Sequence, residues 1–189
     1  MKKKVLLAVF SVMFCMSAAF AQAPYKHSIG GTIGSMQAFS YKTFVTDHFA
    51  IQVDLGTKIT HTDGEHVRGI NLWDLELNPN FMYEGNFVAG LYGFAGGGVS
   101  LGYSWTAWDP RVHSTYPIYY WHYNEHYWDC GKFGINAILG LEYKLNIPLT
   151  LQLDFRPGYG MLFGEEYWGR ANVWNYFDWS LNAGVRYAF

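Results

Sequence analysis

Residues 119–132 read YYWHYNEHYWDCGK. Here His122, Glu125, His126, Asp129 and Cys130 gather imidazole, carboxylate and thiolate donors, the set that binds Zn²⁺ or Cu²⁺. His122 and His126 are four residues apart, a spacing that would put them on one side of a helical turn. Glu125, Asp129 and soft Cys130 could join them. The surrounding Tyr and Trp favour extended structure instead. Whether these donors converge therefore depends on the elements that carry them.

The chain has 189 residues, enough for one domain with a sizeable core. It opens with MKKKVLLAVFSVMFCMSAAFAQA. Lys2, Lys3 and Lys4 form a basic start, Val5 to Met16 an apolar run, and small residues end in Ala19-Phe20-Ala21. That is the layout of a secretory signal, with the cut expected after Ala21. Residues 1–21 would then be signal and residues 22–189 a single domain. The apolar run is shorter than the roughly 20 residues of a spanning helix. Cys15 follows Val12-Met13-Phe14 rather than small residues, so no lipid anchor is expected. The mature chain would keep one cysteine, Cys130, which excludes an internal disulfide. The net charge of −2 has no long run of either sign, so nucleic acid is not an expected partner. The chain is 20% aromatic and holds 21 glycines. Both point to strands and tight turns.

Alternation then locates the strands. In the last stretch Phe177, Trp179, Leu181, Ala183, Val185, Tyr187 and Phe189 share one parity, and Tyr176, Asp178, Ser180, Asn182, Gly184, Arg186 and Ala188 the other. One face is apolar throughout and the other is polar or small. Leu149–Tyr159 and Phe133–Leu145 behave alike, joined by a turn at Asn146–Pro148. Phe87–Tyr103 is glycine-rich. Glu84-Gly85-Asn86 is expected to connect it to Leu72–Tyr83. Phe49–Ile59 follows a turn at Val45–His48. Residues 28–44 are read as two short strands, Ser28–Gly34 and Ala38–Phe44, with Ser35-Met36-Gln37 between them. The total is eight. Longer connections are expected at Thr60–Gly69, Ser104–Gly131 and Gly164–Val173, alternating with the short turns as in a bacterial outer-membrane barrel.

The polar faces carry Lys42, Asp54, Lys58, Asp74, Glu76, Glu142, Lys144, Asp154, Arg156, Asp178 and Arg186. In a narrow barrel these charges can pair across the lumen, which makes their burial tolerable. The continuous apolar faces fit contact with lipid. Tyr83, Tyr103, Tyr143, Tyr159, Tyr187 and Phe189 fall near strand ends, where aromatic girdles lie. The expected fold is all-β: an eight-stranded antiparallel up-and-down transmembrane β-barrel with a polar, charge-paired interior. A lipocalin-like soluble barrel is the alternative, but its narrow interior would have to take every apolar face.

With these features the chain resembles the small eight-stranded outer-membrane barrels of Gram-negative bacteria, similar to the outer membrane protein X and outer membrane protein A transmembrane-domain group. SIGGTIGSMQAFSYKTFVTDHFAIQVDLG resembles the opening of proteins of that type. LNAGVRYAF, with Val185, Tyr187 and terminal Phe189, resembles the C-terminal signal read by the barrel-assembly machinery. The resemblance implies export to the outer membrane, with membrane lipid and that machinery as partners. It does not imply one activity, since fold does not settle function.

On this reading the opening stretch is an outside loop, and its histidines are not expected to form a metal site. Its aromatic content is more suggestive. Trp105, Trp108, Tyr119, Tyr120, Trp121, Tyr123, Tyr127 and Trp128 share the longest loop, and Tyr167 and Trp168 lie in another. Exposed aromatic patches mark contact surfaces. A glycan or a protein is the expected ligand class. A lipid-modifying enzyme would need an apolar slot and a polar triad, which charged inward faces do not offer. No catalytic residue or cofactor is expected. Eight strands leave room mainly for side chains, so a narrow channel for small solutes stands as the runner-up to a structural or surface-contact role.

Overall fold

A computed structural model describes residues 23–64, 67–106, 130–165 and 171–189. Eight strands follow in chain order: β1 (His27–Gly34), β2 (Met36–Phe44), β3 (Phe49–Gly64), β4 (Val67–Val88), β5 (Leu91–Thr106), β6 (Cys130–Lys144), β7 (Leu149–Glu165) and β8 (Ala171–Ala188). Each pairs antiparallel with the next, and β1 also pairs with β8, so the sheet closes into a barrel. Closure leaves no edge through the wall, which is what a spanning sheet needs where no water can bond the backbone.

Side-chain burial follows the alternation. From Tyr176 to Phe189 nearly every even residue is buried and every odd one exposed. The exposed members are Ile, Leu, Val, Phe, Tyr and Trp, and the buried members are mostly polar or charged. The fold is thus inverted with respect to a soluble barrel, where the apolar face points in.

The start of β1, the last residue Phe189 and the short turns gather at one end of the barrel. His27 and Phe189 exchange backbone hydrogen bonds there at 2.9 and 2.8 Å. At this end the expected turn at Glu84–Asn86 is not present. β4 continues to Val88, and the chain reverses at Ala89 and Gly90, where Gly90 takes φ +80°. Glu-Gly-Asn has turn composition, but two forces keep it in the strand. The Glu84 amide donates to the His48 carbonyl at 2.8 Å, and its carboxylate is held inside the barrel by Lys42.

At the far end the strands run longer than expected. β3 reaches Gly64 and β4 begins at Val67, so most of the expected loop 60–69 is a hairpin. β7 reaches Glu165 and β8 starts at Ala171. The polar residues from His61 to Gly64 lack apolar alternation, yet they pair with β4 as strand. At 16 to 22 residues, β3 and β4 exceed the roughly 9–11 needed to span a bilayer. The expected turn Ser35-Met36-Gln37 also tightens: Gly34 takes φ +143°, and Met36 and Gln37 already belong to β2.

Two prolines lie inside strands. Pro79 pairs with Val53 on β3, and the β4–β5 ladder skips it between Leu77 and Asn80. Pro157 pairs with Trp179 on β8, and the β6–β7 ladder skips it. Each residue that lacks an amide donor thus sits where one neighbouring ladder opens.

Candidate functional site

The lumen holds the chemistry. Above the short-turn end lies an apolar floor of Phe44, Ala50, Met82, Phe94 and Ile138, with Ala23 and Tyr25 packed against it. Interleaved with these residues sits the first ion cluster, with Lys42 two residues from Phe44 on β2 and Glu84 two from Met82 on β4. Lys42 Nζ lies 2.9 Å from Glu142 Oε2 and also pairs with Glu84. Arg186 Nη2 lies 2.6 Å from the same Glu142 oxygen and also donates to Gln152, while Nη1 donates to Ser40 Oγ at 3.2 Å. The Tyr25 hydroxyl donates to Glu142 Oε1 at 2.5 Å. Tyr25 precedes the strands; burial, the largest influence on it, raises its ionisation above the ordinary phenol value, so it remains a donor. This cluster joins β2, β4, β6 and β8.

The second cluster centres on Arg156 of β7. Its Nη1 reaches Asp54 Oδ2 on β3 at 2.6 Å, across the lumen, and its Nε reaches Asp154 Oδ1 at 2.6 Å. Gln52 donates to Asp54, and Asn182 and Gln152 donate to Asp154. The third cluster is nearer the far end. Lys132 of β6 binds Asp74 Oδ2 at 2.6 Å and Glu76, both on β4, and its ammonium stands 4.6 Å from the Tyr176 ring centroid. Lys58 pairs with Asp178 beside it. Between these groups is a cavity of about 30 Å³, bordered by Lys58, Glu76, Asn78, Lys132, Arg156 and Asp178. That is room for a water molecule or two, and not for a solute.

Of the charges expected inside, Lys42, Glu142 and Arg186 thus meet, as do Asp54, Asp154 and Arg156, and Lys58 and Asp178. Asp74 and Glu76 meet through Lys132. Lys144 does not join them. It turns to the short-turn end and caps the carbonyls of Leu145 and Ile147 at 2.9 and 2.8 Å. Its position at the last residue of β6 leaves the lumen too far away. Sequence reasoning missed Glu84, Lys132 and Tyr25. Glu84 has the parity of Asp74 and Glu76, and Lys132 that of Glu142, so parity carried past the expected strand ends finds both. Tyr25 has no such signal, since it precedes the wall.

Val185, Tyr187 and Phe189 face outward along the last turn of the wall. The Phe189 ring stacks on Tyr187 and tilts over His27, with centroids 6.2 and 5.7 Å apart. Tyr83 and Tyr143 are exposed at the same end, and Tyr103 and Tyr159 further up. Trp105 is exposed on β5, with its ring 6.3 Å from that of Tyr103. Trp108, Tyr119, Tyr120, Trp121, Tyr123, Tyr127, Trp128, Tyr167 and Trp168 lie outside the described residues, as do His122, Glu125, His126 and Asp129. Cys130 opens β6 with its side chain inward, packed with Leu162 and Tyr176.

An apolar outer wall, a closed ring of eight strands and a charged lumen define a barrel of the transmembrane class. Solved structures share the fold. The chain is similar to Neisserial surface protein A at 15% identity and TM-score 0.50, over 86% of this chain and 93% of that one. It is similar to the N-terminal β-barrel domain of Pseudomonas aeruginosa OprF at 16% and 0.51, over 90% and 100%. It is also similar to a major outer membrane protein from Thermus thermophilus at 10% and 0.51, over 88% and 100%. The chain therefore has the fold of the small eight-stranded outer-membrane barrels. No family model matches it, and no curated protein matches it in sequence.

Proposed function

We propose that this chain is an integral outer-membrane barrel with a structural or surface-contact role, and that its lumen is closed to solutes. The observation that carries this reading is the series of buried ion pairs that cross the lumen between strands that are not neighbours. The short-turn end faces the periplasm, and the long hairpins face outward. Residues 1–21 are the export signal, and Val185, Tyr187 and Phe189 are read by the assembly machinery. The contact surface is the aromatic outer loops, Trp105 through Trp128 with Tyr167 and Trp168, and its ligand is a glycan or a protein.

Three measurements test this. The detergent-purified protein is run on a gel boiled and unboiled; a closed membrane barrel changes mobility on heating. It is then reconstituted in a planar lipid membrane. A silent membrane is the expected result. Discrete openings would replace this reading with the narrow channel. Deletion of residues 107–129 is expected to abolish adhesion to glycan arrays or host-cell surfaces, and retained adhesion would remove the loops from the contact role.

A further inference from the structure

The residues just before β1 are not part of the wall, yet they turn into it. Ala23 and Tyr25 pack on the apolar floor of the lumen. The Tyr25 ring meets the Phe44 ring edge-on, with centroids 5.3 Å apart and planes at 84°. Its hydroxyl donates to Glu142, and the Lys42 ammonium stands 5.7 Å from its ring centroid. The backbone holds this course. The Phe44 amide donates to the Lys26 carbonyl at 3.0 Å, and His27 is fixed to Phe189. Tyr25 is thus an aromatic side chain with its apolar edge on the floor and its polar tip in the first ion cluster.

We propose that residues 23–25 form a stopper that closes the periplasmic mouth of the lumen, with Tyr25 as the seated side chain. The proposal rests on the membrane-barrel reading and adds the device that seals one end. The ring supplies most of the closure, because it covers the Phe44 side of the floor. The hydroxyl adds registry, since it finds the one Glu142 oxygen that neither Lys42 nor Arg186 takes. On the expected cleavage after Ala21, the stopper lies close to the new amino terminus. Water and ions that pass it would meet Glu142, Lys42 and Arg186, which are otherwise fully buried.

Cysteine accessibility tests this in the full mature chain folded in detergent. Cys130→Ser removes the native thiol, and Ala50→Cys places a reporter in the floor, at the short-turn end of β3 beside Phe44. A charged methanethiosulfonate reagent is expected to react about tenfold faster when Tyr25→Ala is added, since thiol reactivity follows access. Tyr25→Phe keeps the ring and is expected to stay near the slow rate. Equal slow rates for Tyr25→Ala and Tyr25 would overturn the stopper, as would a fast rate with Tyr25 in place. Ala23→Cys in the Cys130→Ser background reports with Tyr25 intact. It is expected to react more slowly than a cysteine at exposed Lys26, and reaction at the same rate would overturn the proposal whether or not Tyr25→Ala folds. The heat-dependent gel shift is run on the Cys130→Ser parent. Its loss there would remove the barrel reading itself, whereas a kept shift with an unprotected thiol removes only the stopper.

Discussion

Glu142→Ala is the sharpest perturbation of the lumen. Glu142 is fully buried and accepts from three donors: Lys42 Nζ at 2.9 Å, Arg186 Nη2 at 2.6 Å and the Tyr25 hydroxyl at 2.5 Å. Its removal leaves two buried cations facing one carboxylate, Glu84. Breaking a buried pair from one side costs about 3–5 kcal/mol, because the remaining charge is desolvated without compensation. Lys42 keeps Glu84, and Arg186 keeps Gln152 and Ser40, so about 3 kcal/mol is the expected value here. At about 1.4 kcal/mol per tenfold, this shifts the unfolding equilibrium by roughly two orders of magnitude. The assay is urea titration of the protein folded in lipid vesicles, read by gel mobility without heating. Adding Lys42→Met restores one cation to one carboxylate and places an apolar chain beside Phe44 and Phe94, whose ring centroids lie 5.0 and 5.4 Å from Lys42 Nζ. The double variant is expected to recover about 1–3 kcal/mol relative to additivity. If Glu142→Ala costs less than about 1 kcal/mol and the two changes add, the cluster is hydrated and the account of a dry, paired lumen is wrong.

Two further outcomes follow from the wall and the turn. Leu153 faces outward roughly 10 Å above the short-turn end, near the middle of a hydrophobic band about 25 Å tall. Leu153→Arg is expected to cost about 2–4 kcal/mol of folding free energy in vesicles; a cost near zero would mean that this face meets water. Gly90→Ala places a Cβ at φ +80° and is expected to destabilise by about 1 kcal/mol in the same titration. An unchanged midpoint would place the reversal elsewhere, for instance back at Glu84–Asn86.

The wall was legible wherever one side of a strand is continuously apolar. Leu149, Leu151, Leu153 and Phe155 announce β7 because lipid on one side and side chains on the other impose a period of two. Legibility ends where the two environments become alike. From His61 to Gly64 the sequence has no apolar parity, so polar residues that read as loop continue as strand. Glu84 shows the opposite failure. Local composition favoured a turn, but the charge on Lys42, 42 residues away in sequence, holds the residue inside. No local pattern reports such a partner. Tyr25 was invisible for a related reason: nothing before β1 alternates, and its place is set by the shape of a floor assembled from five different strands.

The arrangement of charge also bears on why the rim, rather than the lumen, is the place to seek function. Among the described residues the interior holds five cations, Lys42, Lys58, Lys132, Arg156 and Arg186, against seven carboxylates, counting half-buried Asp178. The clusters stand in series along the lumen. A solute crossing it would have to part Lys42 from Glu142, Arg156 from Asp54 and Lys132 from Asp74. Each separation strands charge in a narrow, poorly hydrated space at a cost of several kcal/mol, and the costs add because the pairs do not share residues. A porin avoids this by using 16–18 strands and leaving its charges in water. Here the same charges join strands that are not neighbours: β2 to β4 and to β6, β6 to β8, β3 to β7 and β4 to β6. Such ties make the barrel rigid and keep its hairpins in fixed relation above the membrane. On the proposed contact role, such a stem under long outer strands would present a surface that starts at Trp105.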